Sequence, residues 1–512
     1  DPEDTSEELT EVVCLESDLQ DGQMMEVEVG QHSVLLTRSE GQYSAIGNQC
    51  THYGAPLSKG VISGNTVRCP WHGACFNVHT GDLEEFPGMD CLPCHKVKIQ
   101  NSKVYVTVNT KVSRQNVMVY YLSVSVGAAS LICAETLRQE NFGGRIIMVT
   151  RDDLLPYDKT RLSKVMNVEN DSILLRRMEF FQQYDIEVWL RKEVMSVDTD
   201  KKKVTFDDGS VESYDQLLIS TGCRAKGLDV PGMKLKNVLM LETPEDARQI
   251  HKACLGCNVV LVGTSFVGME IASYLIDKSS SITVIGSSEL PYQNTLGREV
   301  GKVTMTVRKK ERFFLSSVSL SFPFLLKVKE VVLKSGYVIP ADVLIVGIGE
   351  CNAYFFLSAC ISCLQYMRTN VPSVYCGGDL ATFPLAMAKN QLVNIGHWQM
   401  AQAHARIAAL NMLDKPTELS SVPFYWTVLL GKTIRYAGGL THTCTNDEVI
   451  AAASLNYDPA VSAVAERFAA GKIITKKEAE YVKSFHLWII LVILLVFTLT
   501  PSGHKISYYR FN

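Results

Sequence analysis

Residues 50–60 read CTHYGAPLSKG, and residues 69–76 read CPWHGACF. Cys50 and His52 are separated by one residue in the first stretch, and Cys69 and His72 by two residues in the second. A glycine follows the histidine closely in both stretches, which is typical of a tight turn. The two stretches are therefore predicted to be paired loops that hold a shared metal centre.

The ligand types favour iron at this centre. Two thiolates on one iron and two neutral imidazoles on the other are the ligands of a Rieske 2Fe–2S cluster. We therefore predict Cys50 and Cys69 on one iron and His52 and His72 on the other. A structural zinc ion is the alternative, because zinc also accepts two cysteines and two histidines. Zinc fingers usually place both cysteines on one loop, whereas here each loop has one cysteine and one histidine.

Composition limits the remaining possibilities. The chain has 512 residues, 46% of them apolar, and a net charge of −4. This length predicts two to four domains, and the charge gives no sign of nucleic-acid binding. Fifteen scattered cysteines do not indicate a secreted disulfide scaffold. The acidic opening DPEDTSEELTE resembles neither a secretory signal nor a transit peptide, so no targeting segment is expected within this sequence.

Two architectures follow one another along the chain. Residues from about 10 to 108 alternate short strands and turns, which predicts a small all-β domain. Residues 117–150 and 258–286 each predict a βαβ unit. Two such units indicate α/β domains with doubly wound parallel sheets. The predicted fold class is therefore multidomain, with the all-β domain followed by dinucleotide-binding α/β domains and a small C-terminal α+β domain.

The second βαβ unit contains the clearer dinucleotide turn. GTSFVG has Gly263, Ser265 and Gly268 at the three positions of the fingerprint, directly after the strand VVLV. Such a turn directs backbone N–H groups and a helix N-terminus at a pyrophosphate. A turn that binds no cofactor is the alternative, because Ser265 replaces a glycine and no acidic residue ends the next strand.

The first βαβ unit departs further from the fingerprint. SVSVGAAS has only Gly127, with Ser125 and Ser130 at the other small positions. Ser125 adds a Cβ where the chain must turn sharply, which weakens the prediction of FAD binding. Two later segments restore it, since they match flavoprotein motifs: LLISTGC, with Thr221 and Gly222, and VYCGGD, with Gly378 and Asp379.

The ordered motifs resemble those of the pyridine nucleotide-dependent flavoprotein reductases. The set is LPYDKTRLSK, LLISTG, GTSFVGME, VGIG, YCGGDLATFPL and NIGHWQMAQAHARIAALNML. With the Rieske loops, the chain is similar to the Rieske-containing members of the mitochondria-associated apoptosis-inducing factor family. The resemblance implies that Asp379 binds the FAD ribityl chain and that Lys164 and Trp398 lie near the flavin. It also implies that residues from Gly263 to Glu270 line the NADH site.

This resemblance implies a function. The expected activity is that of an NAD(P)H-dependent oxidoreductase, in which electrons pass from FAD to the 2Fe–2S cluster and on to an unknown acceptor. The alternative is a signalling protein of the apoptosis-inducing type, in which the cofactors are structural or redox-sensing. A mitochondrial location and a homodimer are further hypotheses from the family. Ala55, Trp71 and Ala74 stand where high-potential Rieske loops have disulfide cysteines and a serine hydroxyl, which predicts a reduction potential toward the lower part of the Rieske range.

The predicted domain boundaries place the apolar C-terminal run LWIILVILLVFTL, residues 487–499, in a separate tail. The run is shorter than the roughly 20 residues that span a bilayer. A short membrane anchor, a buried strand pair and a sequence foreign to the family are the three interpretations. The domains are 1–110 (Rieske), 111–250 and 346–415 (FAD-binding), 251–345 (NAD(P)-binding, incomplete), 416–484 (C-terminal) and 485–512 (tail), with 303–325 and 350–365 unassigned.

Overall fold

The computed structural model describes residues 8–108, 121–124, 127–306, 327–333, 336–348, 350–351, 361–439, 449–456, 458–475, 478, 491–500 and 503–508. Ser125 and much of the unassigned stretches 303–325 and 350–365 lie outside these residues. The described residues form two compact units. The first comprises residues up to 108, residues 420–426 and those from 434 onwards, and the second comprises residues 121–419 and 427–433.

The N-terminal part of the first unit is all β. Its strands are β1 (Leu9–Leu15), β2 (Gln23–Val29), β3 (His32–Ser39), β4 (Gln42–Gly47), β5 (Val61–Ser63), β6 (Thr66–Arg68), β7 (Cys75–Asn77), β8 (Leu83–Glu85), β9 (Cys94–Gln100) and β10 (Lys103–Val108). They form a six-stranded sheet in the order β1-β10-β9-β4-β3-β2 and a four-stranded sheet in the order β5-β6-β7-β8. The predicted all-β domain is confirmed.

Buried and more exposed residues alternate along strands of this all-β part. In β10, Val104, Val106 and Val108 are buried and the residues between them are more exposed, as the two-residue period of a strand requires. The two Cys/His loops lie at separate points of the chain, one between β4 and β5 and the other between β6 and β7. Cys50 and Cys69 belong to the same buried apolar cluster, so the core fixes both loops.

The second unit is α/β. Its elements are β11 (Tyr121–Val124), α1 (Ala128–Gln139), β12 (Ile146–Val149), α2 (Met178–Gln183), β13 (Ile186–Trp189), β14 (Val194–Asp198), β15 (Lys203–Phe206), β16 (Val211–Ser213), β17 (Leu217–Ile219), β18 (Arg224–Ala225), β19 (Val238–Leu239), α3 (Pro244–Cys254), β20 (Asn258–Val262), α4 (Phe266–Leu275), β21 (Ser281–Ile285), α5 (Gln293–Leu296), α6 (Arg298–Thr306), β22 (Glu330–Val332), β23 (Val338–Pro340), β24 (Val343–Val346), β25 (Glu350–Cys351), β26 (Ile361–Ser362), β27 (Val374–Cys376), β28 (Ala381–Leu385), β29 (Gln391–Asn394) and α7 (Trp398–Met412).

Two parallel sheets organise the second unit. One has five strands in the order β13-β12-β11-β17-β27, and the other has four strands in the order β19-β24-β20-β21. The first and second predicted βαβ units are confirmed as β11-α1-β12 and β20-α4-β21, each with parallel pairing. Every residue of β12 and β24 is buried, because helices cover both faces of such sheets.

Most of the C-terminal residues belong to the first unit, whereas residues 427–433 belong to the second. The C-terminal residues form β30 (Phe424–Leu429), β31 (Lys432–Gly438), β32 (Val449–Leu455), α8 (Asp458–Ala469), β33 (Leu491–Thr500) and β34 (Gly503–Tyr508). The five strands make one sheet in sequence order. Most of the apolar run 487–499 is therefore strand β33, paired with β32 and β34. Within the described residues, no helix is both long and apolar enough to cross a membrane.

Candidate redox centres

The two Cys/His loops have the same backbone geometry. In the first loop, the Cys50 N–H donates to the Ala55 carbonyl at 2.9 Å, and the Gly54 N–H donates back to the Cys50 carbonyl at 2.8 Å. Residues 69–74 repeat both bonds at the equivalent positions, at 2.7 and 3.2 Å. Gly54 and Gly73 both have left-handed φ angles, +73° and +81°, a conformation that favours glycine. The loops are therefore two copies of one turn.

The sulfur atoms of these loops lie together in the core. Cys50 and Cys69 are 2% and 0% exposed. The Cys50 thiol donates a hydrogen bond to the Cys69 sulfur, and this bond lowers the pKa of Cys69 despite its burial. Backbone N–H groups also point at the sulfur atoms. Those of His52 and Tyr53 point at Cys50, and those of Trp71 and His72 point at Cys69. Such donors stabilise thiolates and raise the potential of a bound cluster.

The imidazoles form a second pair. The Nδ1 atoms of His52 and His72 lie 3.0 Å apart, and the rings meet edge to face with centroids 4.7 Å apart. Two nitrogens that share one metal at tetrahedral angles, with metal–nitrogen distances of about 2.0–2.1 Å, lie about 3.4 Å apart. The two nitrogens are thus already near the separation that a shared iron requires.

The four side chains converge as two pairs. Among the residues that the structure describes, no three histidine, cysteine or acidic side chains are grouped closely enough to hold a single metal ion. A tetrahedral zinc site needs at least three protein ligands on one ion, whereas each iron of a Rieske cluster takes only two. The sulfur pair and the nitrogen pair fit the two irons of a Rieske cluster, which take two ligands each.

Aromatic side chains surround the histidines. Trp426 is 7% exposed, and its ring centroid lies 5.7 Å from that of His52 and 4.9 Å from that of His72. The Tyr53 ring stacks on His52 at 4.1 Å. Trp426 therefore packs against both predicted iron ligands, and nothing in the surrounding sequence FYWTVLLGK signals this contact.

The predicted flavin residues follow neighbouring strands of the five-stranded sheet. Gly127 follows β11, Thr221 and Gly222 follow β17, and Gly378 and Asp379 follow β27. Since β11, β17 and β27 are adjacent and parallel, these residues meet at the carboxyl edge of the sheet, where α/β folds bind ligands.

Atoms at this edge fit a polar ligand. Thr221 Oγ1 is buried and has no hydrogen-bond partner within the described part of the chain. A Cβ added to Gly127 would meet no atom within 4 Å, which leaves space in front of helix α1. The Gly378 N–H donates to His404 Nδ1 at 3.3 Å, so that strand β27 and helix α7 are tied together beside the same edge. These features fit a bound FAD.

The altered first glycine motif has a structural explanation in part. Ser130 lies in the first turn of α1, is fully buried, and its hydroxyl is 2.9 Å from that of Ser220, which follows β17. A hydrogen bond therefore satisfies the extra hydroxyl where other members of this fold have a glycine. The other altered position, Ser125, lies outside the described residues.

Lys164 and Glu270 form an ion pair in the second unit. Lys164 Nζ lies 2.9 Å from Glu270 Oε2 and also donates to the Thr160 carbonyl at 2.9 Å. The Glu270 carboxylate is only 5% exposed and also accepts hydrogen bonds from Ser163 and from Thr427, the latter at 2.7 Å. Two residues predicted separately, one for the flavin and one for NADH, are thus brought together.

The start of helix α7 lies within the influence of Lys164. Burial, and secondarily the Lys164 charge, lower the pKa of His397 to about 3, so this imidazole is neutral near pH 7. His397 directly precedes Trp398, the first residue of α7. The predicted flavin residue Trp398 therefore begins the helix next to a neutral imidazole, and its side chain is half-buried.

The second dinucleotide turn is closely packed. Gly263 has φ +132°, and a Cβ there would lie 2.0 Å from the Gly347 carbonyl oxygen. A Cβ at Gly268 would lie 2.3 Å from the Gly263 carbonyl oxygen. Both glycines are therefore required for the approach of β20, β24 and α4. Ser265 caps α4 without a side-chain cap bond, which leaves the helix N-terminus suited to a phosphate.

Comparison with known proteins defines the family. Residues 126–405 match the pyridine nucleotide-disulphide oxidoreductase family, and residues 10–96 match the Rieske [2Fe-2S] domain. The chain is 44% identical to human apoptosis-inducing factor 3 in an alignment of 515 positions, which covers 91% of this chain and 85% of the relative. The chain belongs to the Rieske-containing apoptosis-inducing factor family.

Other relatives are reductases. The chain is 28% identical to rubredoxin-NAD(+) reductase of Pseudomonas putida, over 62% of this chain and 86% of that protein. The structure of a ferredoxin reductase from Rhodopseudomonas palustris superposes with a TM-score of 0.63 at 23% identity, over 71% of this chain and 96% of that one, which shows a shared fold. The chain is an NAD(P)H-dependent flavoprotein oxidoreductase that uses FAD and a Rieske 2Fe–2S cluster.

Proposed function

We propose that Cys50 and Cys69 bind one iron of the cluster and that His52 and His72 bind the other. The observation that carries this proposal is the arrangement of the four side chains as a sulfur pair and a nitrogen pair, with the two Nδ1 atoms 3.0 Å apart. Backbone N–H groups directed at both sulfur atoms support it further, because a cluster ligated by thiolates needs such donors.

Around the flavin, each residue has a distinct task. Thr221 and the backbone at Gly127, Gly222 and Gly378 would hold FAD at the carboxyl edge of the sheet, and Asp379 would bind its ribityl chain. FAD supplies the conversion of a two-electron hydride donor into single electrons. Lys164, fixed by Glu270, would present a positive charge that favours negative charge developing on the flavin. Trp398 would exclude water from the same region.

The nicotinamide nucleotide would bind at the second turn. Gly263, Ser265 and Gly268 shape the N-terminus of α4, which attracts a pyrophosphate through its dipole and its first N–H groups. Glu270 is on the same helix and holds Lys164, so nucleotide binding and flavin electrostatics share one element.

The chain would carry its own first electron acceptor. Relatives named as rubredoxin-NAD(+) reductase or ferredoxin--NAD(+) reductase act on iron-containing proteins, whereas here a Rieske domain precedes the reductase in the same chain. We propose a small redox protein as the next acceptor and, from family membership, a mitochondrial location, which organelle fractionation would test.

An anaerobic reaction of the purified holoprotein with NADH tests this assignment. In the wild-type protein, bleaching of the flavin absorbance should be followed by bleaching of the cluster. In His72→Ala, the flavin should still bleach, but the Rieske spectrum should be lost. A His72→Ala protein that keeps an unaltered Rieske spectrum would refute the ligand assignment. His79→Ala is the matched control, because His79 hydrogen-bonds Ser44 and Asn65 instead.

A further inference from the structure

Helix α8 presents three polar residues at four-residue intervals: Asp458, Ser462 and Glu466. Residues at this spacing lie on one face of a helix. Ser462 and Glu466 contact groups at or beside the second cluster loop, and Asp458 lies one turn before Ser462. The Ser462 hydroxyl, fully buried, donates to the Cys69 carbonyl at 3.1 Å. The C-terminal segment therefore touches the backbone of a proposed iron ligand.

One end of this face holds the buried Arg68. The Arg68 guanidinium is 2% exposed, pairs with Glu85 at 2.6 Å and also pairs with Glu466. Its Nη1 donates to the Gly73 carbonyl at 2.8 Å, which fixes the turn that follows His72. Two carboxylates surround this one cation, so the Arg68 group offers the cluster no net positive charge.

The other end of the face holds Arg435, on strand β31. Its side chain is 4% exposed and pairs with Asp458 at 3.2 Å, the one carboxylate that it meets among the described residues. Its Nε is buried and has no hydrogen-bond partner among the described residues. Asp458 lies one helical turn before Ser462, whose hydroxyl contacts the Cys69 carbonyl, so the ion pair lies near the second cluster loop. An arginine stays protonated in proteins, so a buried cation with an unused donor lies beside the cluster loop.

A buried charge affects the reduction of a cluster. Reduction adds one electron, and therefore one negative charge, to the two irons and their ligands. A fixed cation in a poorly solvated environment stabilises that added charge more strongly than the same cation in water would. The pair of Arg435 and Asp458 is neutral as a whole, so loss of the arginine alone would leave the negative charge of Asp458 uncompensated near the cluster.

We propose that Arg435, held by Asp458 of helix α8, is a positioning residue that raises the reduction potential of the Rieske cluster. The proposal rests on the ligand assignment given above. It also opposes the low potential predicted from Ala55, Trp71 and Ala74, because a charge from the C-terminal segment compensates for hydrogen bonds that the loops lack. The tuning group is thus more than 350 residues away in sequence from the loops that it serves.

The test is a redox titration of the holoprotein, followed by the electron paramagnetic resonance signal of the reduced cluster. Arg435→Gln should lower the equilibrium constant for cluster reduction at least tenfold, which is about 59 mV for a one-electron couple. Asp458→Asn, which leaves the arginine without its counter-charge, should raise that constant. Arg435→Lys should keep most of the wild-type potential. A disrupted structure would instead shift the glutamine and asparagine variants in the same direction.

The control is Arg38→Gln. Arg38 belongs to the same unit but contacts the Leu19 carbonyl and the Tyr43 ring, so its loss should leave the potential unchanged. Equal potentials in wild type, Arg435→Gln and Asp458→Asn would overturn the proposal, as would shifts of one sign in both variants. If Arg435→Gln does not fold, Asp458→Asn and Arg435→Lys decide alone. A wild-type protein without a Rieske signal would instead refute the ligand assignment.

Discussion

Substitution of the two loop glycines by alanine separates conformational strain from a steric clash. Gly54 and Gly73 occupy equivalent turns with φ +73° and +81°. A Cβ at Gly54 would meet no atom within 4 Å, whereas a Cβ at Gly73 would lie 2.7 Å from Cγ of Phe424. The two substitutions therefore share one conformational cost, and only Gly73→Ala adds a clash.

The expected magnitudes follow from these environments. A left-handed conformation costs an L-residue roughly 1–2 kcal/mol. Alanine also restricts the unfolded chain more than glycine does, which offsets about 0.4–1 kcal/mol of that cost. Overpacking in a core adds about 1–3 kcal/mol. Gly54→Ala should thus lower the free energy of unfolding by about 1 kcal/mol, and Gly73→Ala by about 1–3 kcal/mol more.

The assay is urea unfolding of the holoprotein, monitored by the cluster absorbance. The double variant Gly73→Ala/Phe424→Leu should recover part of the loss, since a smaller side chain removes the ring atoms that the new Cβ would touch. The matching double variant with Gly54→Ala should show no such recovery. Equal losses for the two glycine variants would refute this description of the second loop.

Three further predictions concern the second unit. Lys164→Met should slow flavin reduction by NADH about tenfold in stopped-flow experiments, because about 1.4 kcal/mol of charge stabilisation is lost. Glu270→Gln should slow this step less. Unchanged rates in both variants would contradict the role assigned to Lys164. Thr221→Val should weaken FAD binding about fivefold by removing one hydrogen bond of about 1 kcal/mol, measured by FAD titration of the apoprotein; equal affinity would place Thr221 outside the site. Burial lowers the pKa of His404 to about 3, so this histidine is protonated in the unfolded chain at a higher pH than in the folded protein. The free energy of unfolding should therefore fall as the pH drops below about 6.5, by about 2 kcal/mol at pH 5. His404→Gln should flatten this pH dependence, and an unchanged slope in that variant would count against the prediction.

Local patterns predicted the fold well. The strand β12 is a continuous apolar run, and the turn at Gly263 follows another such run, so periodicity alone identified both βαβ units. The iron ligands were predictable because cysteine and histidine are uncommon and their spacing reflects a local turn. Ser130 shows the limit of motif matching, since its hydroxyl is satisfied by Ser220 from another strand.

Long-range contacts were not predictable from the sequence. The pairing of Arg68 with Glu466 joins residues 398 positions apart, and no periodicity in either segment signals it. For the same reason no local pattern signals that most of the described residues of 416–484 belong to the same compact unit as residues 8–108. The contact of Trp426 with both histidines is a further product of that grouping.

Electron paramagnetic resonance of the anaerobic protein after addition of NADH alone tests the central claim most directly. The ligand pairs formed by Cys50 with Cys69 and by His52 with His72 predict a reduced two-iron signal with mixed nitrogen and sulfur ligation, with two irons bound per chain and no zinc. A protein that contains zinc in place of iron, or a cluster that dithionite reduces but NADH does not, would contradict the account.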